Sequence, residues 1–131
     1  MIVVDTNVLA HLLLSTTDTS PARGLFEQDS EWAAPVLWRS EFRNVLAGYM
    51  RRGLQSLEEV CVIQREAERI LSGREYRVAS GPVLDLVAAS TCTAYDCEFV
   101  ALALRLGVPL VTCDQQILRD FPEVAVDLMA S

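Results

Sequence analysis

The first nine residues, Met1-Ile2-Val3-Val4-Asp5-Thr6-Asn7-Val8-Leu9, most constrain how this chain can fold. Ile2, Val3 and Val4 form an apolar, β-branched run, which predicts a short buried strand. The run stops at a carboxylate followed by Thr and Asn. Side chains of these types open helices, because they accept from backbone N–H groups that have no partner in the first turn. Val8, Leu9, Leu12 and Leu13 then recur at helical spacing. Asp5 therefore stands where a strand hands over to a helix, the edge at which open α/β sheets bind ligands. Taken alone, Asp5 is explained by capping, the commoner use of such a residue.

The same grammar returns near the other end. Val108-Pro109-Leu110-Val111-Thr112 predicts a strand, followed at once by Cys113-Asp114. Between the two, strand and helix signals alternate. A polar loop over Ser15 to Ser20 precedes a short helix over Ala22 to Gln28, with Pro21 suited to a first helical position. Trp32-Ala33-Ala34, closed by Pro35, predicts a strand, and Val36 to Met50 a helix ended by Arg51-Arg52-Gly53. Ser56 and Glu59 stand at capping-box spacing and open a helix to about Leu71, whose charged residues form a solvated face. Tyr76-Arg77-Val78 predicts a third strand, Gly81-Pro82 a helix start, and Thr93 the start of a helix ending near Leu106-Gly107. Gln115 to Phe121 is a short helix or turn, and Val124-Ala125-Val126 an edge strand. Alternation of this kind implies an α/β fold with a central parallel sheet. At 131 residues, with no repeat or linker, the expectation is one domain over residues 1–131.

Composition narrows the chemistry. With 51% hydrophobic residues the chain is not disordered. No apolar stretch reaches a membrane span, and the opening run, broken at Asp5, lacks the features of a signal peptide. The expectation is a soluble, cytoplasmic protein with no membrane partner. There is no lysine, which excludes P-loop and Schiff-base chemistry. Cys61, Cys92, Cys97 and Cys113 include no C-x-x-C pair, so they are expected as reduced, mostly buried thiols. His11, with no partner motif, is expected to be a partly exposed helix residue and not a ligand. The net charge of −7 opposes nucleic-acid binding overall, yet Arg39, Arg43, Arg51 and Arg52 share one segment with a single acid, Glu41.

Two further acids sit where charge is expensive. Glu41 falls within the apolar stripe of Leu37, Trp38, Phe42, Val45, Leu46, Tyr49 and Met50. A carboxylate there must be paired, favoured by the helix dipole, protonated or bound to a metal. Asp96 lies three, four and seven residues before Phe99, Val100 and Ala103, on the core-facing side of its helix, although Thr93 and Asp96 also have capping-box spacing. In a parallel α/β sheet, strand ends and the helix starts that follow them share one edge. Asp5, Glu41, Asp96 and Asp114 can therefore converge, and four carboxylates in a small volume call for a cation. Oxygen ligands without a His or Cys cluster select Mg²⁺ or Mn²⁺ and leave positions for phosphate oxygens.

Four segments together carry a family resemblance: Val3 to Leu9, Arg39 to Leu46, Ala94 to Ala103 and Leu110 to Asp114. In order and spacing they resemble PIN-domain proteins, and among these most closely the VapC toxins of type II toxin–antitoxin modules. The likeness runs from Ile2 to about Val126. It implies a three-layer α/β/α sandwich around a central parallel sheet, and a ribonuclease whose Asp5, Glu41, Asp96 and Asp114 form an acidic Mg²⁺ site. Thr6, Asn7 and Thr112 fall where family members place supporting polar groups. The resemblance also implies an RNA substrate, a cognate antitoxin that blocks the groove, and a homodimer. One position departs: where some members carry a further acid, this chain has Gln116. With all four acids in place, Asp5 is expected to be a central ligand, with Thr6 and Asn7 carrying the cap. Competing readings are a PIN-like nuclease of RNA processing without an antitoxin, a non-catalytic PIN-like binding protein, and a phospho-accepting receiver domain. The missing lysine argues against the last.

Overall fold

The computed structural model describes residues 1–130. Five strands form one wholly parallel sheet: β1 (Ile2–Val4), β2 (Trp32–Pro35), β3 (Glu75–Tyr76), β4 (Leu110–Thr112) and β5 (Ala125–Asp127), in the spatial order β3-β2-β1-β4-β5. Val3 stands opposite Ala33 on one side and Leu110 on the other. β1 is thus the central strand, and all of it is buried. That position explains its composition: a strand covered on both faces is a continuous apolar run.

The strand order places the functional edge. From β1 the chain moves outward to β2 and β3, then crosses back to β4 on the other side of β1. β1 and β4 therefore flank the point where the order reverses, and the crevice beyond their carboxyl ends is the natural ligand site of such a sheet. Asp5 follows β1 and Asp114 follows β4.

Helices cover the sheet in two groups. α1 (Thr6–Leu13) packs with α2 (Thr19–Gln28), α3 (Trp38–Arg51) and α4 (Leu57–Ile70). α6 (Ala94–Leu106) lies over β1, β2 and β4 and carries α5 (Ser80–Ala88). α7 (Gln115–Asp120) packs on β5, and a 3₁₀ turn, Leu128–Ala130, meets α2. This is the expected three-layer α/β/α sandwich. Between the layers lie Trp32, Trp38, Phe42 and Phe99, all essentially inaccessible. Their polar atoms are satisfied: the Trp32 indole donates to the Asp29 carbonyl at 2.7 Å, and that of Trp38 to Glu75 Oε1 at 2.7 Å.

Local signals set the helix ends. Ser56 and Glu59 form the expected reciprocal capping box at 3.1 and 2.8 Å. Gly53 and Gly107 take the left-handed conformation at φ 73° and 67°, which a helix C-terminus needs and an L side chain resists. Several boundaries differ from expectation, those of β4 and β5 among them, which begin at Leu110 and Ala125 instead of Val108 and Val124. α2 begins at Thr19, so Pro21 is its third residue; a first-turn N–H has no helical partner, and proline fits there equally well. α3 begins at Trp38, with Val36 and Leu37 in the preceding turn. β3 is Glu75–Tyr76, because pairing with Ala34 and Pro35 defines it. The cysteines are all free; Cys92 and Cys97 are buried and Cys113 partly so, but Cys61, on α4, is exposed.

Candidate active site

Asp5 carries the cap itself, contrary to the assignment of that role to Thr6 and Asn7. It is the N-cap of α1, and its Oδ1 accepts from Thr6 N at 2.8 Å. Its geometry explains the exchange of roles. The N-cap residue keeps extended backbone while its side chain turns back on the first turn, and Asp5 is the last residue with that conformation (φ −73°, ψ 157°). Its second oxygen remains for other work. Oδ2 accepts from Thr112 Oγ1 at 2.7 Å, with Asn7 Nδ2 at 3.5 Å.

The supporting hydroxyls each join two acids or two segments. Thr6 Oγ1 donates to Glu41 Oε1 at 2.7 Å, tying α1 to the first turn of α3. Thr112 Oγ1 donates to Asp5 and accepts from Asp114 N at 2.9 Å, linking the exits of β1 and β4. Asn7 Oδ1 accepts from Cys113 N at 3.3 Å across the same gap. Asp114 caps α7, its Oδ1 accepting from Gln116 N at 2.8 Å and Ile117 N at 3.1 Å. Asp96 sits in the first turn of α6, its N–H donating to the N-cap Thr93 at 3.1 Å. The capping-box spacing of Thr93 and Asp96 is therefore used, while the Asp96 carboxylate stays at the shared edge.

A family model of the PIN domain matches residues 2–125. The chain belongs to the PIN-domain family. It is similar to ribonuclease VapC3 of Pyrobaculum aerophilum, 28% identical over 124 residues, or 92% of this chain and 95% of that one. The fold is shared with a toxin–antitoxin complex from Klebsiella pneumoniae (TM-score 0.71, 16% identity, 98% of both chains). It is also shared with FitAcB from Neisseria gonorrhoeae (TM-score 0.74, 15% identity, the full length of both chains).

In this PIN domain the acids feel one another. Burial above all pushes Asp5 up to about 6, against its hydrogen bonds from Thr112 and Thr6; the charges of Glu41 and Asp96 push the same way as burial. Burial likewise raises Glu41, with Asp96 and Glu98 adding to it. Burial raises Asp96, and Asp114 adds to that. The four sequence-predicted acids thus form one electrostatic chain along the edge. They are not gathered into a tight ligand set. Among the described residues, the trio whose potential ligand atoms all lie within 4.8 Å of one another is His11, Asp18 and Cys113. A Mg²⁺ ion suits such spacing, since it commonly takes one or two carboxylates directly and reaches others through waters. The donor set fits a hard divalent cation: carboxylates only, one of them buried and costly to ionise without positive charge nearby.

Glu98 was not singled out from the sequence. Two residues after Asp96, it points to a different side of α6, and its approach to Glu41 depends on where α3 and α6 begin. Gln116 turns away from the acids, its Nε2 donating to the Thr91 carbonyl at 2.6 Å and the Thr91 hydroxyl at 3.0 Å.

Proposed function

We propose that this chain is a divalent-metal-dependent endoribonuclease and the toxin of a type II toxin–antitoxin pair. The observation that carries the proposal is the buried Asp5 at the sheet's switch point, in one electrostatic chain with Glu41, Asp96 and Asp114 in a PIN-domain fold. Asp5, Asp96, Asp114 and Glu41 would hold Mg²⁺, or Mn²⁺ in its place. When bound, such an ion makes water a better nucleophile and offsets charge on the phosphate. The residues supply the rest. Thr112 sets the orientation of Asp5 and of the Asp114 backbone, and Thr6 sets that of Glu41. Glu41 or Asp96, where it reaches the ion only through a water, would accept the proton that leaves water as its oxygen attacks phosphorus and a P–O ester bond breaks.

Several features support the partners. Arg43 and Arg51 are exposed on α3, on the acid-poor strip expected to meet RNA or antitoxin. Arg39 leaves that strip: it grips Glu75 through two bonds at 2.6 and 2.8 Å, with Glu68 at 3.4 Å. The mostly apolar groove between α3 and α4, lined by Leu46, Met50 and Val60, suits a protein partner such as an antitoxin. A homodimer belongs to the same proposal, on the family likeness alone. No helix among the described residues is long and apolar enough to cross a membrane, and cytoplasmic location belongs to the same proposal, as does a single domain over residues 1–131.

The test is cleavage of single-stranded RNA with and without Mg²⁺. The expected result is metal-dependent cleavage that falls at least ~100-fold in Asp5→Asn and Asp96→Asn, since even outer-shell changes at metal sites cost about 10–100-fold. Undiminished cleavage by both variants would overturn the site. A short neighbouring reading frame whose product binds the chain and suppresses cleavage would separate a toxin from an RNA-processing nuclease.

A further inference from the structure

Beside the carboxylate edge, the α1–α2 loop meets the exit of β4 through three side chains of a different chemistry. His11 near the end of α1, Asp18 at the N-cap of α2 and Cys113 just past β4 bring a ring nitrogen, a carboxylate oxygen and a sulfur within 4.8 Å of one another. His11 Nε2 lies 3.6 Å from Asp18 Oδ2. In a tetrahedral zinc site, ligand atoms stand roughly 3.3–3.7 Å apart, given bonds of about 2.0–2.3 Å. Small side-chain rotations therefore close the trio on one ion, leaving the fourth position to water. All three residues are partly buried, between solvent and core.

The imidazole is oriented for this use. Its Nδ1 lies 2.7 Å from Thr16 Oγ1. Thr19 Oγ1 donates to the Leu14 carbonyl at 3.0 Å and so is free to accept, which it does from Thr16 N at 3.0 Å. Thr16 Oγ1–H can donate to Thr19 Oγ1, 3.4 Å away, while its oxygen accepts from Asp18 N at 3.2 Å and keeps a second lone pair for His11 Nδ1–H. That tautomer turns the Nε2 lone pair toward Asp18 and Cys113. A ligating histidine held through its other ring nitrogen by an outer hydrogen bond is the usual arrangement of a metal site. Burial above all, with the charges of Asp18, Asp127 and Asp5 adding to it, pushes the Cys113 thiol up to about 11, so the thiolate forms there only with a cation beside it. A nitrogen, an oxygen and a sulfur together favour zinc and disfavour Mg²⁺.

We propose that His11, Asp18 and Cys113 form a zinc site, distinct from the carboxylate edge, that pins the α1–α2 loop to the exit of β4. On binding, the Cys113 thiol proton leaves to solvent and a Zn–S bond forms. The site is one residue from Asp114, and the Cys113 N–H already holds Asn7. Zinc there braces the β1 and β4 exits from outside the carboxylates.

Cobalt(II) is the probe, added to the full-length reduced protein and then displaced with zinc. The expected result is a sulfur-to-cobalt charge-transfer band at one equivalent, removed by zinc. It persists in Cys61→Ser and Asp96→Asn and vanishes in Cys113→Ser. His11→Gln, which leaves the thiol in place, weakens zinc at least ~10-fold, and Thr16→Val weakens it about 10–100-fold. Absence of the band in wild type would overturn the proposal, as would a band that survives in Cys113→Ser or zinc affinity unmoved in His11→Gln. Failure here leaves the ribonuclease proposal standing, because RNA cleavage reads the carboxylate edge alone.

Discussion

Asp5 shows how one side chain takes two structural tasks and keeps a third within reach. One oxygen caps α1 and the other meets Thr112, yet burial still drives its proton affinity up to about 6. Its folded value lies above the ordinary 3.8, so the folded state binds the proton more tightly than the unfolded one. Stability from this group is full below the ordinary value and is lost as pH rises toward 6. The shift is worth about 3 kcal/mol at most. Without divalent metal, Asp5→Asn is expected to be more stable than wild type by about 1–2 kcal/mol near pH 8, after allowance for the altered bond to Thr112. The gap should narrow as pH falls from about 6 toward 4, and denaturant melts across pH measure it. Thr112 has no exposed surface and serves Asp5 and Asp114 at once. Thr112→Val leaves two buried polar groups short of a partner, so a loss of about 1–3 kcal/mol is expected. On the proposed function, RNA cleavage should drop about 10–100-fold, because the carboxylate proposed to hold the metal loses its orientation.

At the scale of elements, the helix ends do most of the positioning. α1, α6 and α7 each start with a side-chain cap, and each start carries an acid or a neighbour of one to the same edge. α3 arrives differently: its N-cap Leu37 offers no side-chain bond, and the Thr6–Glu41 hydrogen bond fixes the first turn from outside. The far end of α6 is set by Gly107 at φ 67°, where a Cβ would touch nothing within 4 Å. Any cost of Gly107→Ala is therefore backbone strain alone, about 1–2 kcal/mol. Thermal unfolding should show that loss while metal-dependent cleavage stays near wild type, since α6 starts at the site and ends away from it.

The whole molecule sets its charge against the RNA substrate proposed for it. A chain of net charge −7 repels RNA except along a local basic strip. With Arg39 held by Glu75 and Glu68, and Arg52 lying over the Tyr49 ring at 4.8 Å, Arg43 and Arg51 remain the better candidates on that helix. Replacing both with Gln should weaken single-stranded RNA binding and lower the slope of log affinity against log salt by about 0.7 for each phosphate no longer neutralised. Filter-binding across salt measures this; an unchanged slope would place the RNA elsewhere. The strand order matters at this scale too. Because β1 is flanked by β2 and β4, the exits carrying Asp5 and Asp114 are neighbours although the two acids stand near opposite ends of the chain.

The sequence by itself determined the alternating α/β order, most helix ends, and the four acids at strand exits and helix starts. Those features rest on interactions within a few residues: β-branched runs, caps, and apolar spacing along one helix. It did not determine which residue caps α1, since Asp5, Thr6 and Asn7 are all capable and only the backbone conformation at Asp5 decides. Nor did it show that Arg39 is spent on Glu75, that Glu98 approaches Glu41, or that His11 has Asp18 and Cys113 beside it. His11 lacked any partner motif because its partners come from separate segments, and Cys113 reaches it only when β4 pairs with β1. Such meetings are decided by strand order and helix packing, which join residues by position in space with no local trace in the chain.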